Sequence, residues 1–355
     1  MRNVTSARDM SGTVPGRVRV DTRRNGCAGA IAVGAVAGPP YTTARRAGDS
    51  RFAGIRTYMR APHVTDLAGV DAAVYGIPFD TATSYRTGAR FGPEAIRSAS
   101  ALIRPYHPRS RRRTSPSRSR SSTTATCPSR PATTERTYGQ IEEALAPIVD
   151  AGVFPVRARR RPLDHARRSS ARSAKRHGPL ALVQLDAHAD TWEQYFGQKY
   201  FHGTTFKRAV EEDLLDATAS VQAGMRGSVY AASDLGTRAR ARLHRDRERG
   251  PALARPRALR RARPREGRGA AGVPVIRHRL PRPGLRARHG TPEVAGFSTA
   301  EALAFLRALR GIDLVGCDVV EVAPGYDGPG QPTALAAANV VFELLALRVL
   351  ATPRP

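Results

Sequence analysis

The chain has 355 residues, three cysteines and a formal net charge of +28 at pH 7. The length is sufficient for one large α/β domain or two smaller ones, with an ample core. The cysteines (Cys27, Cys127 and Cys317) are far apart and odd in number, which excludes a disulfide framework and indicates a reducing, cytoplasmic environment. No apolar run approaches the roughly 20 residues that a membrane helix needs, so we expect no membrane association.

The amino-terminal part of the chain is predicted to be a leader followed by a strand, a loop and a helix. Residues 1–50 lack sustained periodicity, which is typical of a flexible leader, and a single domain is expected over 51–355. Within it, Asp71–Asp80 (DAAVYGIPFD) is predicted to be a short buried strand that continues into a polar loop. That loop ends at Arg90–Pro93 (RFGP), where a helix over 94–102 is expected to begin.

The remainder of the chain alternates between predicted strands and helices. Further helices are predicted over 135–150, 206–215, 298–309 and 334–350, and further strands over 153–156, 181–185 and 312–322. The first of these helices is expected to end at Gly152. Such alternation indicates an α/β fold in which helices cover both faces of a parallel sheet. Functional groups in these sheets collect at the carboxyl ends of the strands.

Three Arg-rich segments, at about 109–132, 157–174 and 238–289, interrupt this pattern. They are crowded with Arg, Pro, Ser and Ala and follow neither the helix period nor the strand period. Together they hold 32 arginines and four acidic residues, an excess of 28 that equals the formal charge of the whole chain. The high charge therefore belongs to the Arg-rich segments, and the rest of the chain is close to neutral.

The strongest local signal for chemistry is Asp186-Ala-His188-Ala-Asp190, at the end of a predicted buried strand. Alternate residues of an extended segment project to one side, so Asp186, His188 and Asp190 can converge. Two carboxylates and one imidazole suit a divalent ion such as Mn²⁺. A carboxylate that bridges two such ions also favours ionisation of the water between them. The alternative is a polar loop whose acids cap the next helix.

Five motifs in order resemble those of the arginase/agmatinase (ureohydrolase) family, over about residues 50–350. They are Gly76–Asp80 (GIPFD), Gly88–Pro93 (GARFGP), Asp186–Trp192 (DAHADTW), Tyr200–Thr204 (YFHGT) and Asp318–Pro324 (DVVEVAP). The resemblance implies a three-layer α/β/α fold with a mainly parallel sheet, which agrees with the strand–helix pattern. The stretch from Trp192 to Thr204 and the DVVE sequence look like the agmatinase branch of the family.

The resemblance also implies a role for each residue of these motifs. Asp186, His188 and Asp190 would be ligands of a binuclear centre that holds two Mn²⁺ ions. His202 would act as a proton shuttle or contact the substrate near the leaving amine. Glu321 would pair with the guanidinium group, whose planar fork a carboxylate matches bidentately. The alternatives are a surface histidine before a helix for His202 and a solvated acid after a strand for Glu321.

Two further family motifs, GGDHS and D-x-D-x-x-D-P, are missing from the sequence. In the family they supply a histidine and two aspartates to the metal ions. By spacing they should fall near residues 159–163 and 277–283, where Pro162, Arg277 and Arg279 stand at the ligand positions. A proline side chain has no donor atom for a metal, and arginines place positive charge beside the expected cations.

The genetic code offers an explanation for the Arg-rich segments. If GGDHSIT is encoded with codons that end in G or C and this DNA is read one base early, the translation is RRRPLDH, which is the sequence of residues 159–165. The same operation turns FDIDFLDP into IRHRLPRP (276–283), and a one-base shift turns VVDYGDLP into SSTTATCP (121–128). We infer that the three segments are out-of-frame translations of a GC-rich gene. We expect them to remove strands from the sheet and to weaken metal binding.

The reaction implied by the family is manganese-dependent hydrolysis of a small guanidino compound, with conversion of agmatine to putrescine and urea as the first expectation. Guanidinobutyrate and guanidinopropionate are alternative substrates, and formiminoglutamate is a further option. An inactive pseudoenzyme of the family is another alternative, because three of the six ligand positions are altered. Family members usually assemble into trimers or hexamers, so a homo-oligomer is expected.

A basic nucleic-acid-binding protein is an alternative of another class. The run Arg109–Ser122 (RSRRRTSPSRSRSS) resembles an arginine–serine segment, and phosphate contacts need only Lys or Arg. The basic runs lack interleaved aromatic residues, however, and the shifted reading frame accounts for them without a binding role. We therefore expect no nucleic-acid partner.

Overall fold

The computed structural model describes residues 55–80, 85–104, 106–107, 112–113, 121–123, 134–159, 172–230, 244–246, 293–294 and 296–351. The predicted leader, residues 1–50, lies outside them. The strands are β1 (Ala72–Ile77), β2 (Tyr106–His107), β3 (Arg112–Arg113), β4 (Ser121–Thr123), β5 (Phe154–Arg159), β6 (Val183–Leu185), β7 (Val221–Ala223), β8 (His244–Asp246) and β9 (Cys317–Val319). The helices are α1 (Gly92–Ser100), α2 (Thr134–Asp150), α3 (Thr205–Glu211), α4 (Thr299–Ala308) and α5 (Pro332–Ala351), and residues 172–177 are also helical.

The largest described sheet is parallel and has the order β4-β1-β5-β9. Side chains of β1 alternate between two apolar clusters: Val74 packs in one, whereas Tyr75 and Ile77 pack in the other. A strand that is buried on both faces is typical of a parallel sheet between helices. The sequence prediction of a buried strand at this place is therefore confirmed.

Helices cover both faces of this sheet. Ile96 of α1 lies in the same cluster as Val74, together with apolar residues of α4 and α5. Ile141 and Leu145 of α2 pack in the cluster on the opposite face, with Tyr75 of β1. The arrangement gives three layers, helix–sheet–helix, and confirms the predicted α/β/α architecture with parallel strands.

The helix ends follow the sequence signals that predict them. Helix α4 begins with a capping box, in which the hydroxyl of Ser298 accepts from the backbone N–H of Glu301 at 3.2 Å. The carboxylate of Glu301 in turn accepts from the backbone N–H of Ser298 at 2.7 Å. Helix α2 is followed by Gly152, whose φ of +71° is the left-handed conformation that glycine adopts readily.

A second described sheet is parallel as well and has the order β6-β7-β8. Val183 and Leu185 of β6 belong to the cluster that contains Val74, while Leu182 packs with Phe206 of α3 on the other side. The strand that leads to Asp186 is thus buried on both faces, and the polar loop begins at its carboxyl end.

Helix α5 is long and apolar enough to cross a membrane by length and composition, contrary to the expectation from the sequence. Its position is that of a core helix, because 61% of its most apolar window is buried inside the fold. The buried carboxylate of Glu343 accepts from Nε of Arg307 at 2.9 Å and lies 3.1 Å from Nε2 of His107. Through Glu343, α5 therefore contacts Arg307 of α4 and His107 of β2 within the domain.

Several predicted elements are shorter in the structure. The strand predicted over 312–322 is reduced to Cys317–Val319, because β9 pairs with β5 along three residues only and Glu321 departs from extended geometry with a φ of +68°. Helix α3 ends at Glu211 rather than at residue 215. Asp213, two residues later, has a φ of +52°, which a continuing helix does not allow.

The expectation that the Arg-rich segments remove strands is wrong for the described residues of these segments. Strands β4 and β8 lie inside two of these segments, and the carboxyl half of β5 lies in the third. All three pair in parallel with neighbouring strands. The hydrogen bonds of a sheet join backbone groups, so a strand can keep its place in the sheet when its side chains carry no strand signal.

One residue of an Arg-rich segment, Arg157, is buried in the main sheet. It lies opposite Asp318 in the register of β5 and β9, and its guanidinium forms an ion pair with the Asp318 carboxylate. The side chains are 5% and 0% exposed. Each charge is therefore compensated by the other in a site that water does not reach.

Candidate functional site

The predicted metal-ligand loop follows the carboxyl end of β6. The backbone N–H of His188 donates to Oδ1 of Asp186 at 3.0 Å, and Nδ1 of His188 lies 3.8 Å from the same oxygen. The loop then turns sharply at Asp190, whose φ of +50° is unusual for a residue other than glycine. Backbone strain of this kind costs on the order of 1–3 kcal/mol and is concentrated at functional sites. The structure thus brings Asp186 and His188 together and places Asp190 at the strained turn after them.

Two buried glutamines hold the backbone of this loop. Nε2 of Gln184 donates to the backbone oxygen of His188 at 2.9 Å and to Oδ2 of Asp186 at 3.3 Å. Nε2 of Gln222, on the neighbouring strand β7, donates to the backbone oxygen of Ala189 at 2.8 Å. Both glutamines are fully buried. Their amides fix the path of the loop in a region where a free carbonyl would be costly.

The loop after β7 packs against the ring of His188. A Cβ atom on Gly227 would lie 2.6 Å from Cδ2 of His188, so no larger residue fits without moving the ring. The backbone N–H groups of Arg226 and Gly227 donate to the backbone oxygen of Ala187 at 3.0 and 2.9 Å. On its other side, Nε2 of His188 lies 3.2 Å from a carboxylate oxygen of Glu293.

His202 lies in a cluster of aromatic rings after the metal-ligand loop. It is 7% exposed, and its ring centroid lies 4.3 Å from that of Phe201 and 5.1 Å from that of Tyr195. Trp192 stacks on Tyr195 at 5.0 Å. A Cβ atom on Gly203 would lie 2.6 Å from the Trp192 ring, which explains why a glycine follows the histidine. The structure thus places His202 in a buried position, in contrast to the alternative of a surface histidine.

Glu321 follows the carboxyl end of β9 in the left-handed region, with a φ of +68°. It is 1% exposed, so the alternative of a solvated acid does not describe it. The next residue, Val322, contacts the first turn of α1 in the GARFGP motif, because a Cβ atom on Gly92 would lie 2.4 Å from the Val322 carbonyl oxygen. The Glu321 segment and the GARFGP motif are therefore packed directly against each other.

The two amino-terminal motifs meet through an ion pair. The buried carboxylate of Asp80, from GIPFD, pairs with the guanidinium of Arg90, from GARFGP. The same carboxylate accepts from the backbone N–H of Gly88 at 2.7 Å. Gly88 has a φ of +108°, a conformation that requires glycine. Two residues before Gly88, the guanidinium of Arg86 lies over the rings of Tyr85 and Tyr326, at 5.3 and 5.0 Å.

The described residues do not form a metal-binding cluster. Among them, no group of three or more His, Cys, Asp or Glu side chains is arranged to hold a metal ion. Both oxygens of Asp186 accept hydrogen bonds from protein groups, and His188 pairs with Glu293. Of the expected partner motifs, residues 160–165 and 276–283 lie outside the described part of the chain. The donors present are of the right type for Mn²⁺, but within the described residues they are not grouped as a binuclear centre needs.

Several residues of the site cannot be found from the sequence motifs. Gln184 acts on the Asp186–Asp190 loop from the strand directly before it, and Gln222, Gly227 and Glu293 act on the loop from other segments. The sequence VQAG, with Gly224 after a short β-forming run, is a weak signal for β7. Glu293 carries no signal, because its contact with His188 joins residues that are 105 positions apart in the chain.

The sequence model of the arginase family matches residues 70–255 and 287–347. The chain is 36% identical over 314 residues to a guanidinobutyrase from Pseudomonas aeruginosa, covering 84% of this chain and 93% of that protein. It is 39% identical over 306 residues to a guanidinopropionase from the same organism, covering 84% of this chain and 92% of that protein. Residues 256–286, where the D-x-D-x-x-D-P motif is expected, fall between the two matched ranges.

A solved structure with the same fold is the proclavaminate amidino hydrolase from Streptomyces clavuligerus. It superposes with a TM-score of 0.77 at 30% sequence identity, and the match covers 86% of this chain and 100% of that chain.

Proposed function

The chain belongs to the arginase family, and we propose on this premise that its reaction is the hydrolysis of a guanidino compound to urea and an amine. The observation that carries the proposal is the position of Glu321, a carboxylate that is 1% exposed at the carboxyl end of β9. A buried carboxylate pairs strongly with a planar cation such as guanidinium, because both oxygens can accept hydrogen bonds. Its burial keeps water from competing for these bonds.

His202 supplies the second group for this chemistry. Its ring is held by Phe201 and Tyr195, so it has a defined orientation when substrate binds. An imidazole near neutral pH can donate a proton to the amine that leaves as the C–N bond breaks. Glu321 thus positions the guanidinium, and His202 protonates the leaving group.

Manganese is part of the proposal through the family resemblance. Asp186, His188 and Asp190 would hold it, and a bound Mn²⁺ supplies Lewis-acid and water-ionising chemistry. Since the described residues do not gather these side chains into a metal cluster, we assign no catalytic step to a metal. With Pro162, Arg277 and Arg279 at the other ligand positions, we expect this chain to bind Mn²⁺ weakly.

For the substrate we propose a short guanidino acid. The two P. aeruginosa relatives are named for guanidino acids, and their identities are 36% and 39%. Arg86 places a positive charge on the loop that packs beside the Glu321 segment, between Tyr85 and Tyr326. A cation at this position favours a substrate whose far end is a carboxylate over one whose far end is an ammonium. Agmatine is the second candidate, favoured by the likeness of the Trp192–Thr204 stretch to agmatinases.

The test compares two proteins. One is the chain itself, and the other is a frame-restored chain, in which the three Arg-rich segments are replaced by the neighbouring-frame translation of the same DNA. Each is incubated with Mn²⁺ and with 4-guanidinobutyrate, 3-guanidinopropionate or agmatine, and urea is measured. We expect the frame-restored chain to release urea, fastest from a guanidino acid, and the chain itself to release little or none.

A matched control is the frame-restored chain with Glu321→Gln, which keeps the shape of the side chain but removes its charge. It should lose most of the activity while its circular dichroism spectrum stays unchanged. Failure of a well-folded frame-restored chain to release urea from any of the three compounds would overturn the proposed function. Fastest release from agmatine would overturn only the choice of substrate.

The assembly and location of the protein are also proposals. From the family resemblance we propose a homotrimer or hexamer in the cytoplasm, without a nucleic-acid or membrane partner. Light scattering on the purified protein measures its mass directly, and salt-dependent retention on DNA would speak for the nucleic-acid-binding alternative.

A further inference from the structure

A cavity of about 170 Å³ lies at the amino-terminal ends of β5 and β9. Glu321 follows the carboxyl end of β9, so this cavity is at the opposite edge of the parallel sheet from the candidate active site. Its volume exceeds the roughly 30 Å³ that one water occupies in the liquid. It is smaller than the roughly 300 Å³ at which pockets for drug-sized ligands begin, so a small ion or molecule fits it. Its polar lining consists of Ser173, Arg176, His177, Asp313 and Arg348.

Two arginines of the lining are held in place by neighbouring groups. Nη1 of Arg176 donates to the backbone oxygens of Val149 and Asp150, at 3.3 and 3.4 Å, at the end of helix α2. Arg348 extends from α5, where Nη1 donates to Oδ1 of Asp313 at 3.4 Å and the guanidinium lies over the ring of Phe154 at 5.7 Å. Anchored guanidinium groups lose little further freedom when they bind a ligand.

Ser173 and His177 add two further polar groups. Ser173 is 8% exposed and lines the cavity. Its hydroxyl can donate a hydrogen bond to a ligand in the cavity. Burial lowers the pKa of His177, and the cations Arg176 and Arg348 lower it further, against the opposing effect of Asp313. The histidine therefore lies in a positive local potential.

We propose that this cavity binds a small oxyanion, such as inorganic phosphate or a small carboxylate. Arg176 and Arg348 supply the positive charge, and the Ser173 hydroxyl supplies a hydrogen-bond donor inside the cavity. Asp313, the acidic residue of the lining, is largely exposed, with a side chain that is 58% accessible, so the inner part of the cavity keeps its positive potential. The proposal does not depend on the catalytic activity of the chain.

The test follows His177 by NMR during titration of the full chain with inorganic phosphate, with sodium chloride at equal ionic strength as the reference. An anion bound beside the imidazole favours its charged form, so the pKa of His177 should rise by about one unit in phosphate. The midpoint of thermal unfolding should rise by about 3 °C at saturation. Equal behaviour in phosphate and in chloride would overturn the proposal.

Variants separate a site from general charge screening. Arg176→Gln and Ser173→Ala should each weaken phosphate binding at least fivefold, whereas Arg104→Gln, which removes an exposed arginine away from the cavity, should leave it unchanged. Equal weakening by Arg104→Gln would mean that phosphate only screens the basic surface, and the proposal fails. Because Arg176 also holds the end of α2, Ser173→Ala keeps the test valid if Arg176→Gln does not fold. A parallel titration with succinate shows whether the site prefers phosphate or carboxylate.

Discussion

Gln184 on β6 and Gln222 on β7 lie opposite each other in the sheet, and the amide of Gln222 donates to the side-chain oxygen of Gln184 at 2.5 Å. Neither side chain is exposed. The Gln184 amide also donates to the backbone oxygen of His188, and the Gln222 amide donates to that of Ala189. Both of these oxygens belong to the loop after β6. A pair of neutral, buried side chains thus connects two parallel strands to the loop that carries Asp186, His188 and Asp190.

The first prediction concerns this pair. Gln222→Leu removes the donor to Gln184 and to the Ala189 carbonyl, and both acceptors stay buried without it. Loss of such a bond costs about 1–3 kcal/mol, so urea unfolding should show a free energy of unfolding lowered by that amount. Gln194→Leu, at an exposed position of the following loop, is the control and should change stability by less than about 0.5 kcal/mol. Equal effects of the two variants would contradict the structural role of the pair.

The second prediction concerns Gly203. An added Cβ would lie 2.6 Å from the Trp192 ring, so Gly203→Ala must displace the indole and should destabilise the fold by about 1–3 kcal/mol. Trp192 is the single tryptophan of the chain, so its fluorescence reports the displacement directly. Gly325→Ala is the matched control, since nothing lies within 4 Å of its added Cβ. An unchanged emission spectrum in Gly203→Ala would mean that the ring is not held in this position.

The third prediction concerns the ion pair between Arg157 and Asp318. Asp318→Asn leaves a buried guanidinium without its charged partner, which should lower the free energy of unfolding by about 3–5 kcal/mol. The double variant Arg157→Met/Asp318→Leu should recover most of that loss, because apolar residues of similar size remove both charges. Asp313→Asn breaks an exposed pair with Arg348 and should cost less than about 1 kcal/mol. A double variant as unstable as Asp318→Asn would contradict this explanation.

The fourth prediction concerns substrate choice. In the frame-restored chain, Arg86→Gln should raise the KM for 4-guanidinobutyrate about tenfold, which corresponds to about 1.4 kcal/mol, and should leave the KM for agmatine unchanged or lower. Arg104→Gln is the control for a loss of surface charge and should change neither value. Steady-state kinetics on both substrates measures the difference. Equal increases for the two substrates would mean that Arg86 does not recognise the carboxylate.

Much of the fold follows from local sequence patterns, and the reasons are physical. Helix α4 is predicted by its apolar spacing and begins at the Ser298 capping box, and β1 is an apolar run that helices cover on both sides. Strand β7 was not predicted, because three residues are too short to show a period. Strands β4 and β8 were not predicted either, because sheet hydrogen bonds involve the backbone and their segments carry no apolar pattern.

The candidate site was predictable in part. The motifs identify Asp186, His188, Asp190, His202 and Glu321, and the structure places all five in loops after β6 and β9. The residues that support them come from distant segments: Gly227 contacts the His188 ring, and Glu293 pairs with it. Such contacts depend on which strands become neighbours, which no local pattern of the sequence specifies.

The origin of the Arg-rich segments determines whether the natural protein has a complete or a partial active site. The most direct measurement is the sequence of the coding DNA across residues 109–132, 157–174 and 238–289, translated in all three frames. The predicted result is that a neighbouring frame encodes GGDHSIT at residues 159–165 and FDIDFLDP at residues 276–283. A DNA sequence whose other frames contain neither motif would contradict the out-of-frame origin of these segments, and Pro162, Arg277 and Arg279 would then be genuine features of the site.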